Sequence, residues 1–377
     1  MTVRLFSRPF CIASRQFQLY AKTTINPKSF KLEIPAHIKP SSVLVLSTPS
    51  NLPQIIQNAI DLYQQHNLQI VVGGIDSVVP NSSRNGVSEL WSEKPLTIKR
   101  SILLESRDDL NKPPKESDGI HIVTAKKNWK NIESKLCINF NESINADLKL
   151  ANTVFSTGSI LTLFYFQPTN LVDSPGNSGQ HLCELEVALP QGDISEQCQI
   201  TLKDNWTPLY EGGRAFTITN CVGNLLKTID DKPASEFLEK NDSLMSIGSK
   251  ETQVYVKLTN PNSAVTERFK VIAGGGGWGA KANIIALSPE AKPTVGSKIE
   301  FFMITPSDRY AKKYEDIDNY KNSITLQTTY EEQTYVEDTQ EQEQTVIENA
   351  FGCGSESGFT LNGVVHNSPG EMVQIHL

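Results

Sequence analysis

The chain has no CxxC pair, no apolar run long enough to cross a bilayer, and no acidic residue before Glu33. Each absence excludes something. The six cysteines, Cys11, Cys137, Cys183, Cys198, Cys221 and Cys353, are scattered, which argues against a disulfide framework and fits reduced thiols. The longest strongly apolar run, Ser159 to Phe166, falls far short of the roughly 20 residues a spanning helix needs. It reads as a buried strand, and no transmembrane segment is expected. A net charge of −7 removes the basic surface on which a nucleic-acid partner depends. No GxSxG elbow, HExxH pair or GxxxxGK phosphate loop is present, so no catalytic residue is assigned and neither a metal nor a cofactor is expected.

What is present begins with charge asymmetry. Arg4, Arg8, Arg15 and Lys22 are spaced among Leu5, Phe6, Phe10 and Ile12, with hydroxylated Ser7 and Ser14 between them. A positive, acid-free, Ser-containing segment of this kind matches a mitochondrial import sequence, and Arg8 and Arg15 break any secretory apolar core. Residues 1–22 are therefore expected to be a transit peptide, with Arg15-Gln16-Phe17 offering a processing point after Phe17, and the mitochondrial matrix is the expected compartment.

At 377 residues the chain exceeds the size at which a single core stops growing, so two modules are expected. Residues 43–46 form a β-rich run. Leu52, Ile55, Ile56, Ala59, Ile60 and Tyr63 then recur at helical spacing, and residues 68–72 give a second strand ending at Gly73-Gly74. Strand, helix and strand in this order predict an α/β fold, two modules with mixed β-sheets flanked by helices. Further strands are expected at 102–105, 120–124, 216–219, 225–229, 253–258, 268–273, 283–287 and 298–305, with short helices at 147–155 and 233–238. The polar stretch 240–250 marks the expected boundary between modules at 40–240 and 250–377. Residues 331–348 carry seven acidic side chains and no lysine or arginine, and read as a solvated or partly mobile acidic insertion. The apolar tail 372–377 is expected to complete a sheet.

Two local patterns suggest chemistry. Gly274, Gly276 and Gly279 satisfy GxGxxG, but Pro289 would cut short the helix a dinucleotide site requires. The run therefore reads as a turn permitting close backbone approach around Trp278. His181 and Cys183 form a close pair, yet their spacing with Cys198 fits no common zinc pattern, so both are expected in or beside a strand. Cys353, between Gly352 and Gly354, is weighed as an exposed reactive thiol against a small residue filling a tight turn.

Residues 205–238 contain Trp206-Thr207-Pro208, Thr217-Ile218-Thr219, Gly223-Asn224 and Ile229-Asp230-Asp231-Lys232-Pro233-Ala234. Their order resembles the passage from the N-terminal to the C-terminal module of the FIST family. The strand–helix–strand opening resembles the start of the first module, and Phe351-Gly352-Cys353-Gly354 resembles the close of the second. Lys232 stands where relatives commonly have glycine. Nothing before residue 43 resembles an F-box, and the acidic stretch has no obvious counterpart. The resemblance implies a non-catalytic sensor of a small polar, amino-acid-like metabolite. The expected ligand contacts are Gly275, Gly276, Gly277, Trp278, Lys281, Cys353 and Gly354. Two alternatives are an adaptor that docks a protein partner through 331–348, and an enzyme holding a nucleotide on the glycine run.

Overall fold

The computed structural model describes residues 19–80, 82–103, 134–168, 179–247, 251–261, 266–274, 283–310, 316–331 and 343–377. The expected strand at 120–124 lies outside the described residues.

The opening unit forms as its periodicity predicts. Strand β1 (Leu19–Ile25) leads to β2 (Ser42–Ser47), helix α1 (Leu52–His66) and β3 (Gln69–Gly74). Helix α1 buries Leu52, Ile55 and Ala59, accepts a proline in its first turn and ends on left-handed Asn67, where an asparagine is tolerated. Strands β2 and β3 pair in parallel, and alternation decides which face each residue meets. Val43 and Val45 pack towards α1, while Leu44 and Leu46 face the opposite core.

Around this unit the chain builds a broad mixed sheet. Strands β4 (Gly86–Ser92), β5 (Thr97–Leu103), β6 (Lys135–Asn139), β7 (Asn145–Lys149) and, after the short helix α2 (Val154–Thr157), β8 (Leu163–Phe166) and β9 (Gln180–Ala188) join it. Strand β9 pairs with β8 near its start and with β5 and β6 along its length. The helix expected at 147–155 is corrected here. Ile144, Ala146 and Leu148 are buried in alternation, and β7 returns antiparallel to β6, so the two-residue period prevails over the helical reading.

Strand β10 (Ile200–Lys203) precedes a second unit, which runs through β11 (Thr207–Pro208), β12 (Phe216–Val222), β13 (Leu225–Ile229), β14 (Lys232–Pro233), α3 (Glu236–Glu239), α4 (Asp242–Ile247), β15 (Gln253–Thr259), β16 (Thr266–Gly274), β17 (Ile285–Leu287) and β18 (Lys298–Ile304). Hydrogen-bonded neighbours follow the order β18, β12, β13, β17, β16, β15, and β15 pairs again with β18. The ring is closed, which removes its sheet edges. Phe216, Ile218, Leu226, Val256, Leu258, Ile285, Ile299 and Phe301 fill its interior.

The remaining chain returns to the first unit. After α5 (Pro306–Tyr310) come β19 (Ser323–Thr328), β20 (Thr345–Glu348), β21 (Ala350–Ser355), β22 (Phe359–Leu361), β23 (Val364–His366) and β24 (Met372–His376). Strands β10, β24, β19 and β21 form a four-stranded sheet whose Ile324, Leu326, Phe351, Val373 and Ile375 share a core with the broad sheet. One face of the broad sheet is thus covered by α1 and the other by sheet. Mixed sheets are as expected, but α1 supplies nearly all of the helical flanking.

Three expectations are corrected by strand pairing. The boundary at 240–250 falls inside the barrel, because β12 and β13 before it bond β18 and β17 after it. The two units are therefore a barrel near 207–304 inserted into a body made from both ends of the chain. The acidic stretch is not all insertion, since residues 345–348 are the edge strand β20 against β1 and Glu331 pairs with Arg309; residues 332–342 lie outside the described residues. The transit-peptide limit at 22 cuts through β1, which pairs along its whole length with β4. Residues 1–18 lie outside the described residues, and a cut after Phe17 leaves β1 intact.

Barrel and body meet at a buried ionic network. Arg268 on β16 pairs with Glu371 and Asp204 and lies 4.1 Å over the Trp206 ring. Glu371 also has His366 Nδ1 at 2.7 Å and accepts from the Ser368 hydroxyl at 2.7 Å. Burial alone would raise the Glu371 carboxyl, but His366 and Arg268 outweigh it and hold it below the ordinary carboxylate value.

Two predictions follow from these contacts. A carboxylate whose pKa falls on folding stabilises the native state above its unfolded value, and that contribution disappears as pH drops through the folded one. Glu371→Gln should therefore lower unfolding free energy at pH 7 by about 3 kcal/mol, the usual loss on breaking a buried pair. Denaturant titrations should show this difference shrinking below pH 4; a constant difference would contradict the ionic account. Separately, Lys22 Nζ lies 2.9 Å from Oε1 of the fully buried Glu89. A chain starting at Gln18 should fold, whereas one starting at Thr23 should melt markedly lower or aggregate. Equal melting temperatures would contradict a structural role for β1.

Candidate functional site

The parallel strands β2 and β3 end together, and polar residues follow both. This is where ligands settle in open α/β sheets, beyond the carboxyl ends of the strands. Gly73 and Gly74 close β3 in tight quarters, since a Cβ on Gly73 would stand 2.9 Å from Leu46 and one on Gly74 2.8 Å from Thr153. Past them, Asp76 N and Ser77 N both donate to Gly354 O, at 3.1 and 3.2 Å, and Gly354 N donates to Ser77 O at 2.8 Å. The close of β21 is thereby clamped onto the close of β3. A Cβ on Gly354 would lie 2.2 Å from Ser77 Oγ, so only glycine fits this crossing.

The crossing gathers charge. The Asp76 carboxylate accepts from Glu356 N at 2.8 Å, and Glu356 Oε1 pairs with Arg84 Nη1 at 2.5 Å. Arg84 reaches this point because its loop is tied to α1: Asn51 donates to the Asn85 side chain at 2.8 Å, and Thr48 and Gly86 bond each other. Ser77 Oγ and Thr329 Oγ1, 2.8 Å apart, fasten the loop to the end of β19. Phe155 of α2 is fully exposed. The Ser355 hydroxyl is buried without a hydrogen-bond partner.

Burial pushes the Asp76 carboxyl up to about 6, with the nearby Glu356 charge adding to the rise; the hydrogen bond from Glu356 N and the Arg84 charge oppose it. A carboxyl poised near neutrality beside a guanidinium–carboxylate pair can take an ammonium on one side and share its arginine with a carboxylate on the other. The arrangement is suited to recognition.

The residues expected from sequence divide three ways. Gly354 lies at the centre of the crossing. Cys353, its neighbour, points the other way: it is completely buried in the core between the sheets, where burial pushes its thiol up to about 12. The exposed, reactive thiol is overturned, because alternation along β21 turns each side chain opposite to the next. Gly275, Gly276, Gly277, Trp278 and Lys281 lie outside the described residues. His181 and Cys183 sit on β9, as expected, with His181 stacked on Phe164 at 4.7 Å. Sequence reasoning missed Asp76, Arg84 and Glu356. The available signal was position: Asp76 follows the glycines that close a parallel strand beyond α1.

Compared with protein families, curated proteins and solved structures, the chain matches none of them.

An acid raised on folding takes up its proton before the unfolded chain does, so its stability contribution declines as pH climbs from its ordinary 3.8 through about 6. Above that window the penalty is constant. Asp76→Asn should therefore stabilise the protein at pH 8 by on the order of 1 kcal/mol and do little at pH 4. Destabilisation at pH 8 would mean that Asp76 is held by contacts stronger than those described. Gly354→Val should prevent folding or lower the melting temperature by about 10 °C or more, as expected for severe overpacking.

Proposed function

We propose that the protein is a FIST-type sensor of the mitochondrial matrix that binds a small amino-acid-like zwitterion without transforming it. The observation that carries this reading is the convergence of Asp76 with the Arg84–Glu356 pair beyond the ends of parallel strands. The ligand's ammonium pairs with Asp76 and Glu356, and its carboxylate pairs with the Arg84 guanidinium. Binding draws a proton off Asp76, because an ammonium close to a carboxyl favours its ionised form.

A thermal-shift panel of amino acids, organic acids and nucleotides against the chain from Gln18 tests this reading. One or a few amino acids should raise the melting temperature. Asp76→Asn and Arg84→Gln should each weaken their calorimetric affinity about tenfold or more, the scale of one charge-assisted contact. Unchanged affinity in both variants, or stabilisation by nucleotides alone, would remove the Asp76–Arg84–Glu356 cluster as the ligand site. A panel without any stabiliser, followed by recovery of a basic protein that releases on deletion of residues 332–342, would favour the adaptor.

A further inference from the structure

The four-stranded sheet ends on β10, which has no strand on its outer side among the described residues. Pairing with β24 decides which backbone groups that side presents. Gln199 O accepts from His376 N at 2.9 Å, and the register continues with Ile200 opposite Ile375, Thr201 opposite Gln374 and Leu202 opposite Val373. Bonding groups alternate along an antiparallel ladder, so Gln199, Thr201 and Lys203 turn their N–H and C=O groups towards β24. Those of Ile200 and Leu202 point outward, leaving two donors and two acceptors along the open edge.

The side chains give a second, independent observation. Ile375 and Val373 face the core between the sheets and are 0% and 1% exposed. Ile200 and Leu202 stand opposite them on the same face, yet are 40% and 46% exposed. The core therefore runs out along β10, and an apolar stripe lies beside the unpaired backbone. An edge of this kind invites another strand, and folded proteins ordinarily guard it with charge. Edge strand β20 carries Glu348, and β5 carries Lys99 and Arg100. On β10 the one charged residue is Lys203, at its end.

We propose that β10 is a docking edge for a second copy of this chain, pairing antiparallel with its own counterpart about a two-fold axis at Thr201. The axis could lie at Ile200, Thr201 or Leu202 and still bring outward groups of both copies together. Charge selects among the three. An axis at Ile200 sets Asp204 against Glu196 of the other copy, two like charges. An axis at Leu202 sets Ile200 against Asp204, the carboxylate that Arg268 holds. An axis at Thr201 sets Ile200 against Leu202 on both sides and Lys203 against the neutral Gln199. All four outward groups of each copy are then bonded, and the two four-stranded sheets become one. Strands this short bury less than the roughly 1,200 Å² of a standard interface, so the dimer is weak and reversible. The edge lies across the sheet from β21 and does not depend on the function proposed at Asp76.

Sedimentation velocity of the purified protein between about 5 and 500 µM tests the edge, with a monomer–dimer dissociation constant expected on the order of 100 µM. Leu202→Pro removes an outward N–H and no bond to β24, and Ile200→Lys places a charge in the stripe. Each should raise the dissociation constant at least about tenfold. In dilute solution each should melt within about 3 °C of the wild type, as surface changes do. The register has its own test. An axis at Thr201 brings that residue against itself in a closely spaced pair, so Thr201→Cys should form a disulfide-linked dimer in oxidised glutathione, above the level that the native cysteines give. Lys203→Cys should not. A monomer at every concentration, a dimer that both edge variants keep, or equal cross-linking by Lys203→Cys would overturn the proposal.

Discussion

The body is held together by how β21, from the end of the chain, lies against the strands that begin it. Its inner edge pairs in parallel with β19. Among the described residues its outer edge has no further strand, and hydroxyls meet it instead: Thr23 donates to Ala350 O and accepts from Gly352 N, and Ser88 donates to Gly352 O. A row of exposed backbone groups would otherwise invite pairing with another chain. Because β21 is fixed at this depth, Cys353 faces the core and Gly354 reaches Ser77. The charged cluster follows from that placement, since Glu356 is carried to Asp76 by the residues that close the same strand. A bulkier residue at Gly352, whose Cβ would stand 2.8 Å from the Val79 carbonyl oxygen, would lift the strand and open the crossing.

The barrel is held by a different kind of force. Its closed ring buries its own aromatic and aliphatic interior, so contact with the body is left to the outer faces of β15 and β16. There Arg268, Glu371, His366, Asp204 and Ser368 are bonded around the Trp206 ring, which also packs on Tyr255 and Phe302. Desolvating so many charged groups is expensive, and packed hydrophobic residues of similar volume can be as stabilising. What the network adds is geometry. Arg268 bridges Glu371 through one terminal nitrogen and Asp204 through the other, and directional bonds of this kind specify register more narrowly than apolar contact does.

Much of the local structure was legible in sequence. The apolar face of α1, the parallel strands on either side of it and the sheet-forming tail at Met372 all followed from periodicity. The mixed sheets followed from them. What was not legible depended on pairing between distant segments. Residues 147–155 could support a helix in isolation, but Ala146 and Leu148 find neighbours on β6 and β22 that only the fold supplies. The polar stretch at 240–250 looked like a boundary because composition records exposure, whereas closure of β15 onto β18 is a property of topology. The charged cluster was half visible: Gly354 was singled out, while the elevation of Asp76 comes from burial that only the fold supplies. Lys22 counted towards an import signal by its charge, and the structure places it opposite a buried glutamate.

The account rests on Asp76 being a poised carboxyl that receives an ammonium group. Its side-chain carbon can be labelled and followed by NMR across pH, first alone and then with the best-stabilising amino acid. The expected result is a midpoint near 6 for the free protein, moving to lower pH when the ligand is bound. A midpoint at the ordinary carboxylate value that ligand leaves in place would contradict recognition at Asp76.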